Sequence, residues 1–223
     1  MGVSYWVAWS LARLIFATYF RWNVYNRERV PLEGPVILAA NHASFLDPPL
    51  VGAGLPRAIS YLARHTLFKY PGIGWLLRSW NAVPVDRDGG GGAGLKAILN
   101  RLLAGGGIIL FPEGTRSHDG KLRPPQSGIG LTVIKSRAPV VPVRVFGTHE
   151  AWGRYLKLPR PRRVAVRYGE IMYFEALRAE AETCSKSRLK EIYQQIAEQI
   201  MDEIAKLELP RNNLPAHGPA LSL

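Results

Sequence analysis

A histidine and an aspartate lie five residues apart in the stretch NHASFLDPP, residues 41–49. A neutral imidazole, with a pKa of about 6.5, can accept a proton from an alcohol at neutral pH. A carboxylate that accepts a hydrogen bond from one ring nitrogen fixes the tautomer, so that the other nitrogen can act as the base. His42 and Asp47 are therefore candidates for an acid–base pair.

The local geometry of this pair depends on where the following helix begins. Residues five apart on a helix differ by about 140° in azimuth, so His42 should precede the helix. Ser44 could form a capping box with Asp47 at the third helical position, or Asp47 could be the N-cap ahead of Pro48. Capping alone would explain Ser44 and Asp47, and no G-x-S-x-G sequence supports Ser44 as a nucleophile. Backbone N–H groups near this helix start are candidates for an oxyanion site.

Two more polar motifs follow apolar stretches that we predict to be strands. Arg87 follows residues 82–85, and the motif PEGTRS, residues 112–117, follows residues 107–111. In open α/β sheets, ligands bind beyond the carboxyl ends of the strands. The planar guanidinium of arginine suits bidentate contacts with phosphate. One cleft could therefore combine the acid–base pair with Arg87, Glu113 and Arg116.

Strand and helix signals alternate along the chain. Short apolar runs bounded by turn residues predict strands at residues 36–40, 59–63, 82–85, 107–111, 138–147 and 163–172. Apolar residues at spacings of three and four predict helices at residues 45–54, 73–80, 95–104, 129–137 and 185–208. This alternation predicts an α/β fold with a largely parallel central sheet flanked by helices.

The N-terminal stretch of residues 3–20 is apolar and aromatic, but it carries Arg13 in its middle. The favourable insertion free energy of its apolar side chains, about 3 kcal/mol, is cancelled by one central arginine. Ser10, Arg13, Ala17 and Arg21 form a polar stripe at helical spacing, which is typical of a helix lying in the membrane interface. The alternative is a helix packed on the protein's own core.

These observations divide the chain into three parts. We expect residues 1–28 to be a membrane-associating helical segment and residues 29–209 to form one α/β domain. The last part, residues 210–223, is rich in proline and is expected to be a disordered tail.

The chain is basic, and this limits the partners it can have. Its 29 Lys and Arg and 17 Asp and Glu give a net charge of +12, which favours nucleic acid, a membrane surface or an acidic carrier. No nucleic-acid-binding signature is present, so we expect no nucleic acid partner. The basic residues 153–167 could be solvated or could contact anionic lipid. The single Cys184 excludes an internal disulfide and a cysteine-rich zinc site, and we expect no metal site.

Four motifs of the chain resemble a known family when they are taken in order. NHASFLD, VPVDR, FPEGTRS and VVPV are similar to the four blocks of the glycerolipid acyltransferase family typified by 1-acylglycerol-3-phosphate acyltransferases. The resemblance implies transfer of a fatty acyl group from acyl-CoA or acyl carrier protein to a hydroxyl of a lysophospholipid, with no further cofactor. It implies 1-acyl-sn-glycerol-3-phosphate (lysophosphatidic acid) as the first candidate acceptor, giving phosphatidic acid, with glycerol-3-phosphate or another lysophospholipid as alternatives.

The resemblance also implies a role for each motif. His42 would be the general base, Asp47 would orient it, and Arg87 would bind the acceptor's phosphate. The third motif would hold the acceptor through Glu113, Gly114, Thr115 and Arg116. The fourth motif would shape the acyl-binding region through Val141, Pro142 and Val143. The enzyme would act at a membrane phospholipid surface, on the cytoplasmic face.

Two features leave alternatives open. Many family members have a Phe-Lys pair shortly after the third motif, whereas this chain has Pro125 and Gln126, which bears on the acceptor's head group. A different class of function, a non-catalytic basic protein that binds lipid head groups or nucleic acid, would leave the acid–base pair without a role.

Overall fold

The computed structural model describes residues 3–85 and 92–210. Its centre is a seven-stranded sheet with the spatial order β1-β7-β6-β2-β5-β3-β4. The strands are β1 Asn23–Tyr25, β2 Val36–Ala40, β3 Ile59–Arg64, β4 Ala82–Val85, β5 Gly107–Leu110, β6 Val140–Phe146 and β7 Ala165–Tyr168. The residues from 86 to 91 and from 211 to 223 lie outside the described part, and the predicted tail is almost entirely among them.

Five neighbouring strands of this sheet are parallel, from β6 through β2, β5 and β3 to β4. The remaining two, β7 and β1, are parallel to each other and antiparallel to the five. The predicted α/β fold with a largely parallel sheet is therefore confirmed. All five residues of β2 are buried, because β2 has strands on both sides and helices on both faces.

The helices cover both faces of the sheet. They are α1 Val3–Thr18, α2 Asp47–Ala53, α3 Pro71–Ser79, α4 Gly92–Leu103, α5 Gly128–Ser136, α6 Thr148–Trp152, α7 Glu175–Thr183 and α8 Lys186–Lys206. Alternate residues of β2 point to two hydrophobic cores. Leu38 packs with α1 and α2 on one face, whereas Ile37 packs with α4, α5 and α8 on the other. The sheet thus forms the middle of three layers.

Helix α8 matches the strong periodicity of the sequence. Its buried side contains four isoleucines at a spacing of four, namely Ile192, Ile196, Ile200 and Ile204. Ser185 caps its N-terminus by accepting from Arg188 N. Helix α7 was not predicted, because its sequence EALRAEAET has few apolar residues. It is held instead by the buried Arg178, which donates to Ala138 O at 2.8 Å.

Helix α1 packs on the protein along one side and is exposed along the other. Its buried residues are Tyr5, Ala8, Ala12 and Phe16, and they face α2. The guanidinium of Arg13 donates to Ala53 O at 2.9 Å and lies over the Trp9 ring. The predicted polar stripe is therefore wrong for Arg13, which turns towards α2 because an unsatisfied helix carbonyl and an aromatic face are available there.

The exposed side of α1 is mainly apolar. The large apolar residues on it are Val3, Trp6, Val7, Leu11, Leu14 and Ile15. Across residues 3–85 and 92–210, no helix combines the length and hydropathy that crossing a bilayer requires. Strand β1 pairs with β7, so the end of the stretch 1–28 belongs to the sheet and is not separate from the α/β domain.

Candidate active site

The turn between β2 and α2 is built around the carboxylate of Asp47. Its Oδ2 atom accepts from His42 Nδ1 at 2.8 Å, from Ala43 N at 2.7 Å and from Ser44 N at 2.7 Å. The Asp47 side chain is fully buried, whereas the His42 side chain is 15% exposed. A buried carboxylate with several donors is strongly oriented, so Asp47 fixes both the turn and the histidine ring.

These contacts distinguish between the two capping arrangements that the sequence suggested. Helix α2 begins at Asp47 itself, which is neither its third residue nor its N-cap, and Pro48 follows as the second residue. Ser44 Oγ donates to Trp152 O at 2.7 Å and accepts from Leu46 N at 3.1 Å. The prediction of Asp47 as the N-cap is therefore wrong, whereas the capping-box contacts are present in the turn that leads into the helix: Ser44 N donates to Asp47 Oδ2, and Leu46 N donates to Ser44 Oγ.

The same bonds use the backbone donors that we expected to serve an oxyanion. The N–H groups of Ala43 and Ser44 donate to Asp47, and that of Leu46 donates to the Ser44 hydroxyl. None of these three groups is available to a reaction intermediate in this arrangement. The prediction is corrected for these three positions, and their role is to hold the acid–base pair.

The orientation of the His42 imidazole is fixed by ring stacking as well as by its hydrogen bond to Asp47. It stacks on the ring of Phe111, with a centroid separation of 3.9 Å and an interplanar angle of 17°. With Nδ1 bonded to the carboxylate, the proton of the neutral ring belongs on Nδ1, and Nε2 carries the lone pair. No other described residue forms a hydrogen bond to this ring. The geometry therefore presents Nε2 as a base.

The third motif holds the backbone of His42 from both sides. Glu113 Oε1 accepts from His42 N at 2.9 Å, and Ser117 N donates to His42 O at 2.7 Å. The motif is anchored in turn by Gln126 N, which donates to Pro112 O at 2.8 Å. The structure thus brings the first and third motifs together, as their positions at neighbouring parallel strand ends predict.

The carboxyl group of Glu113 has an unusual environment. Burial raises its pKa to about 7, against the lowering effects of the hydrogen bonds from the His42 and Arg123 backbones, and the charge of Asp47 raises it further. Loss of hydration disfavours the ionised form. Glu113 therefore changes charge near neutral pH, within hydrogen-bond contact of the residue proposed as base.

The other residues of the third motif have separate structural roles. Gly114 has φ +72°, a conformation that disfavours any side chain with a Cβ. Thr115 Oγ1 accepts from Arg123 Nη1 at 3.3 Å. The Arg116 guanidinium lies over the Phe45 ring, 3.6 Å from its centroid, which places this cation beside the turn of the acid–base pair. Arg87 lies outside the described residues.

The fourth motif lies inside the sheet. Val141, Pro142 and Val143 are buried in β6 and pair with Leu38, Ala39 and Ala40 of β2. A neighbouring apolar groove is lined instead by α1, α2, β3 and Trp80, through Tyr5, Trp9, Ala12, Pro48, Pro49, Gly52, Ala53, Ile59 and Tyr61. The acyl-binding role of the fourth motif remains a prediction, and the groove is a second candidate that the sequence did not indicate.

Three further residues support the site and were not predicted. The amide of Asn41 bonds to the backbone of Val145, with its Oδ1 accepting from Val145 N at 2.8 Å, and so fixes the end of β2 to β6. Phe111 supports the imidazole, and Trp152 provides the carbonyl that Ser44 binds. Asn41 lies in the first motif and Phe111 in the third, and this position was the signal in the sequence that could have identified them as site residues.

Known proteins share sequence and fold with this chain. The sequence profile of the acyltransferase family matches residues 21–146, which is more than half of the chain. The chain belongs to this family. A 1-acyl-sn-glycerol-3-phosphate acyltransferase of Bacillus subtilis is 33% identical over 126 residues, which cover 56% of this chain and 62% of the Bacillus protein. A lyso-ornithine lipid O-acyltransferase of Pseudomonas aeruginosa is 30% identical over 142 residues, 61% of this chain and 52% of that protein.

A similar fold is found in a crystal structure of another protein. The 1-acyl-sn-glycerophosphate acyltransferase PlsC of Thermotoga maritima matches with a TM-score of 0.69 and 24% identity, over 92% of this chain and 81% of that chain. The likeness concerns the fold. The matched region spans less than two thirds of the Bacillus and Pseudomonas proteins.

Proposed function

We propose that this protein transfers a fatty acyl group from acyl-CoA or acyl carrier protein to a hydroxyl of a lysophospholipid. The acceptor we favour is 1-acyl-sn-glycerol-3-phosphate, which would give phosphatidic acid. Several of its relatives, including the Bacillus protein, are named 1-acyl-sn-glycerol-3-phosphate acyltransferase. The Pseudomonas relative is named for a different acceptor, a lyso-ornithine lipid, and such lysolipids and glycerol-3-phosphate are the alternatives.

The observation that carries this proposal is the bond between His42 Nδ1 and the buried Asp47 carboxylate, 2.8 Å long. It leaves Nε2 to accept the proton of the acceptor's hydroxyl. As that O–H bond breaks, the oxygen attacks the carbonyl carbon of the acyl thioester and forms a tetrahedral intermediate. When the intermediate collapses, the C–S bond breaks, and the sulfur takes the proton back from the imidazolium. The histidine thus ends the cycle neutral, and no acyl group is bound to the protein.

The charged residues of the third motif fit an anionic acceptor. Arg116 lies beside the turn that contains His42, and a guanidinium can form paired charge-assisted bonds to phosphate. We propose that Arg116 and Arg87 bind the acceptor's phosphate. Glu113 supports the same site by holding the His42 backbone.

The apolar groove is suited to an acyl chain. Pro48 and Pro49, which line it, directly follow Asp47 in the sequence. Its other walls are aromatic and aliphatic side chains of α1, α2 and β3. An acyl chain in the groove would be removed from water, which favours binding in proportion to the apolar area covered.

We further propose that helix α1 lies on the cytoplasmic face of a membrane without crossing it. Its exposed apolar side supports this, since such a surface gains free energy at a lipid interface. The test is accessibility labelling of single cysteines at Val3 and Asn26 in a Cys184→Ser background. Labelling of both from the cytoplasmic side is expected. Labelling of Val3 from the opposite side would contradict the proposal.

The activity is tested with purified protein, labelled palmitoyl-CoA or palmitoyl carrier protein, and a panel of acceptors. We expect lysophosphatidic acid to be converted to phosphatidic acid faster than glycerol-3-phosphate or other lysophospholipids are acylated. Faster acylation of another lysolipid would overturn the acceptor, and failure to acylate any glycerolipid hydroxyl would overturn the proposal.

A further inference from the structure

A loop between α6 and β7 carries a concentrated positive charge. This basic loop, residues 153–163 with the sequence GRYLKLPRPRR, contains five cations and no acidic residue. The cations are Arg154, Lys157, Arg160, Arg162 and Arg163, and all five are exposed. Within residues 3–85 and 92–210, none of them forms a salt bridge. The proposed chemistry of the site uses none of these residues.

The basic loop also exposes apolar side chains among its charges. Tyr155 is 70% and Leu158 is 76% exposed. Surfaces that bind an anionic lipid interface combine cations with exposed aromatic and aliphatic groups. The cations contact the lipid head groups, and the apolar groups enter the boundary between head groups and acyl chains. A purely solvated charged loop would gain nothing from exposing these two side chains.

The basic loop is held in place although it has no regular secondary structure. Arg160 N donates to Ala151 O at 2.7 Å, and Leu156 N donates to Gly153 O at 3.1 Å. His118 Nδ1 bonds to Tyr155 Oη at 2.5 Å. The charges are therefore presented by an ordered loop, which reduces the conformational entropy lost when a partner binds.

Two residues of the basic loop contact the turn of the acid–base pair and the segment that follows α1. At one end, Gly153 forms a β-bridge with Ser44, in the turn of the acid–base pair. Further along, Pro159 O accepts from the hydroxyl of Tyr19, at the end of α1, at 3.0 Å. The loop thus extends from the candidate active site to the helix whose apolar side is exposed.

We propose that the basic loop is a second membrane contact, selective for anionic phospholipids, which together with α1 holds the site against the bilayer. This proposal depends on the membrane association proposed above, but it does not depend on acyl transfer. Apolar contact, mainly from α1 with Tyr155 and Leu158 of the loop, is sufficient for a neutral membrane, whereas an anionic membrane is also bound by the cations of the basic loop.

The test is binding of the full chain, without substrates, to vesicles of phosphatidylcholine alone and to vesicles that also contain phosphatidylglycerol. The variant Lys157→Glu/Arg162→Glu reverses two loop charges whose side chains make no hydrogen bond to a described residue. The matched control Lys186→Glu/Lys190→Glu makes the same change in net charge on exposed positions of α8. Circular dichroism and thermal unfolding confirm that both variants are folded.

We expect the loop variant to bind anionic vesicles at least about tenfold more weakly than the wild type, with binding to neutral vesicles unchanged. The control should change binding to anionic vesicles by less than about twofold. The charge-dependent part should also weaken as salt is added. Equal losses in the loop variant and the control would overturn the proposal, because net charge would then be responsible.

Two further outcomes would contradict it in distinguishable ways. If the wild type binds neutral and anionic vesicles equally, α1 alone contacts the membrane and the basic loop does not. If the loop variant binds vesicles normally but loses binding to acyl carrier protein, the loop contacts the acyl donor. Absence of binding to any vesicle would overturn the membrane association itself, while leaving the acyl transfer reaction to be judged by its own assay.

Discussion

The turn at residues 41–47 and the surface formed by α1 and the basic loop are opposite kinds of structure. In the turn, one carboxylate oxygen accepts from three donors, and the His42 backbone is bonded on both sides to the third motif. On the surface, Leu11, Leu14 and Leu158 are more than half exposed, and the five loop cations form no salt bridge to a described residue. The first region holds its acid–base pair with hydrogen bonds inside the protein, whereas the second leaves apolar and charged groups exposed to a partner.

This difference separates two requirements of the proposed reaction. Proton transfer needs a base held in one position and one tautomer, which internal hydrogen bonds provide. Contact with a membrane needs exposed groups that gain free energy only when the bilayer is present. Substitutions in the turn should therefore act on the chemical step, and substitutions on the surface should act on delivery of a membrane-bound acceptor.

The largest effect is expected in the turn. His42→Ala should lower kcat at least about 10²-fold, because no other group replaces the base. Asp47→Asn should also remove most activity, because a neutral amide fixes the tautomer and orientation of His42 less strongly and cannot stabilise the imidazolium that forms during proton transfer. Steady-state kinetics of acyl transfer measure both losses.

The control for this prediction is His149→Ala, which removes an imidazole that does not contact the acid–base pair. It should retain activity within a few-fold of wild type. Near-normal turnover by a folded His42→Ala protein would rule out the mechanism, and an acyl group trapped on Ser44 would replace direct transfer by a covalent route.

A second prediction concerns the exposed side of α1. The double change Leu11→Asp/Leu14→Asp should lower activity on lysophosphatidic acid in vesicles by roughly tenfold or more, since it places charge where apolar contact is proposed. Activity on a short-chain, water-soluble acceptor should be nearly unchanged. Leu32→Asp/Leu103→Asp, at two other exposed leucines, is the matched control. An equal loss on both acceptors would mean that α1 supports the fold of the site rather than membrane contact.

A third prediction concerns the proposed phosphate contacts. Arg116→Ala should raise the KM for the acceptor by about tenfold, because the variant loses a charge-assisted hydrogen bond to the acceptor's phosphate. The KM for the acyl donor should change much less. Arg116→Lys keeps the charge and should give a smaller increase, and Arg87→Ala should resemble Arg116→Ala. If both KM values rise together, the arginines stabilise the structure and do not bind the acceptor's phosphate.

A fourth prediction concerns the pH dependence of stability and leaves the acyl transfer assay aside. The pKa of Glu113 is raised in the folded protein to about 7, whereas the unfolded chain has the ordinary value near 4.5. Between these values the folded state binds more protons than the unfolded state, so the free energy of unfolding falls as pH rises. Wild type should lose up to about 3 kcal/mol relative to Glu113→Gln from pH 4.5 to pH 7. The free energy of unfolding of both proteins is measured by chemical denaturation at each pH. An equal change with pH in wild type and Glu113→Gln would contradict the raised pKa of Glu113.

The sheet and the long helix were predictable because their patterns are strong. The bounds of β2 and β4 match the prediction, and α8 differs from it by one or two residues at each end. Strand β1, with three residues, and helix α7, with few apolar residues, have no such pattern. Their positions are set by tertiary contacts, which a local pattern does not contain.

The identity of the acid–base pair could be predicted, but its support could not. His42 and Asp47 form the predicted bond, because a short turn brings them together. The bond from His42 N to Glu113 joins residues 71 positions apart in the sequence, and spacing gives no information about it. The same holds for Arg13, whose partner Ala53 is on another helix. Local chemistry was accessible from the sequence, whereas contacts between elements required the fold.

The central claim is that Asp47 fixes the proton of neutral His42 on Nδ1, so that Nε2 is the base. Histidine side-chain NMR of ¹⁵N-labelled protein, with the His42 signals assigned from a His42→Gln sample, measures this tautomer directly. At a pH where the ring is neutral, we predict that Nδ1 carries the proton and that Nε2 has the chemical shift of an unprotonated nitrogen. A proton on Nε2 in the neutral ring would contradict the account, because that nitrogen could then not accept the hydroxyl proton of the acceptor.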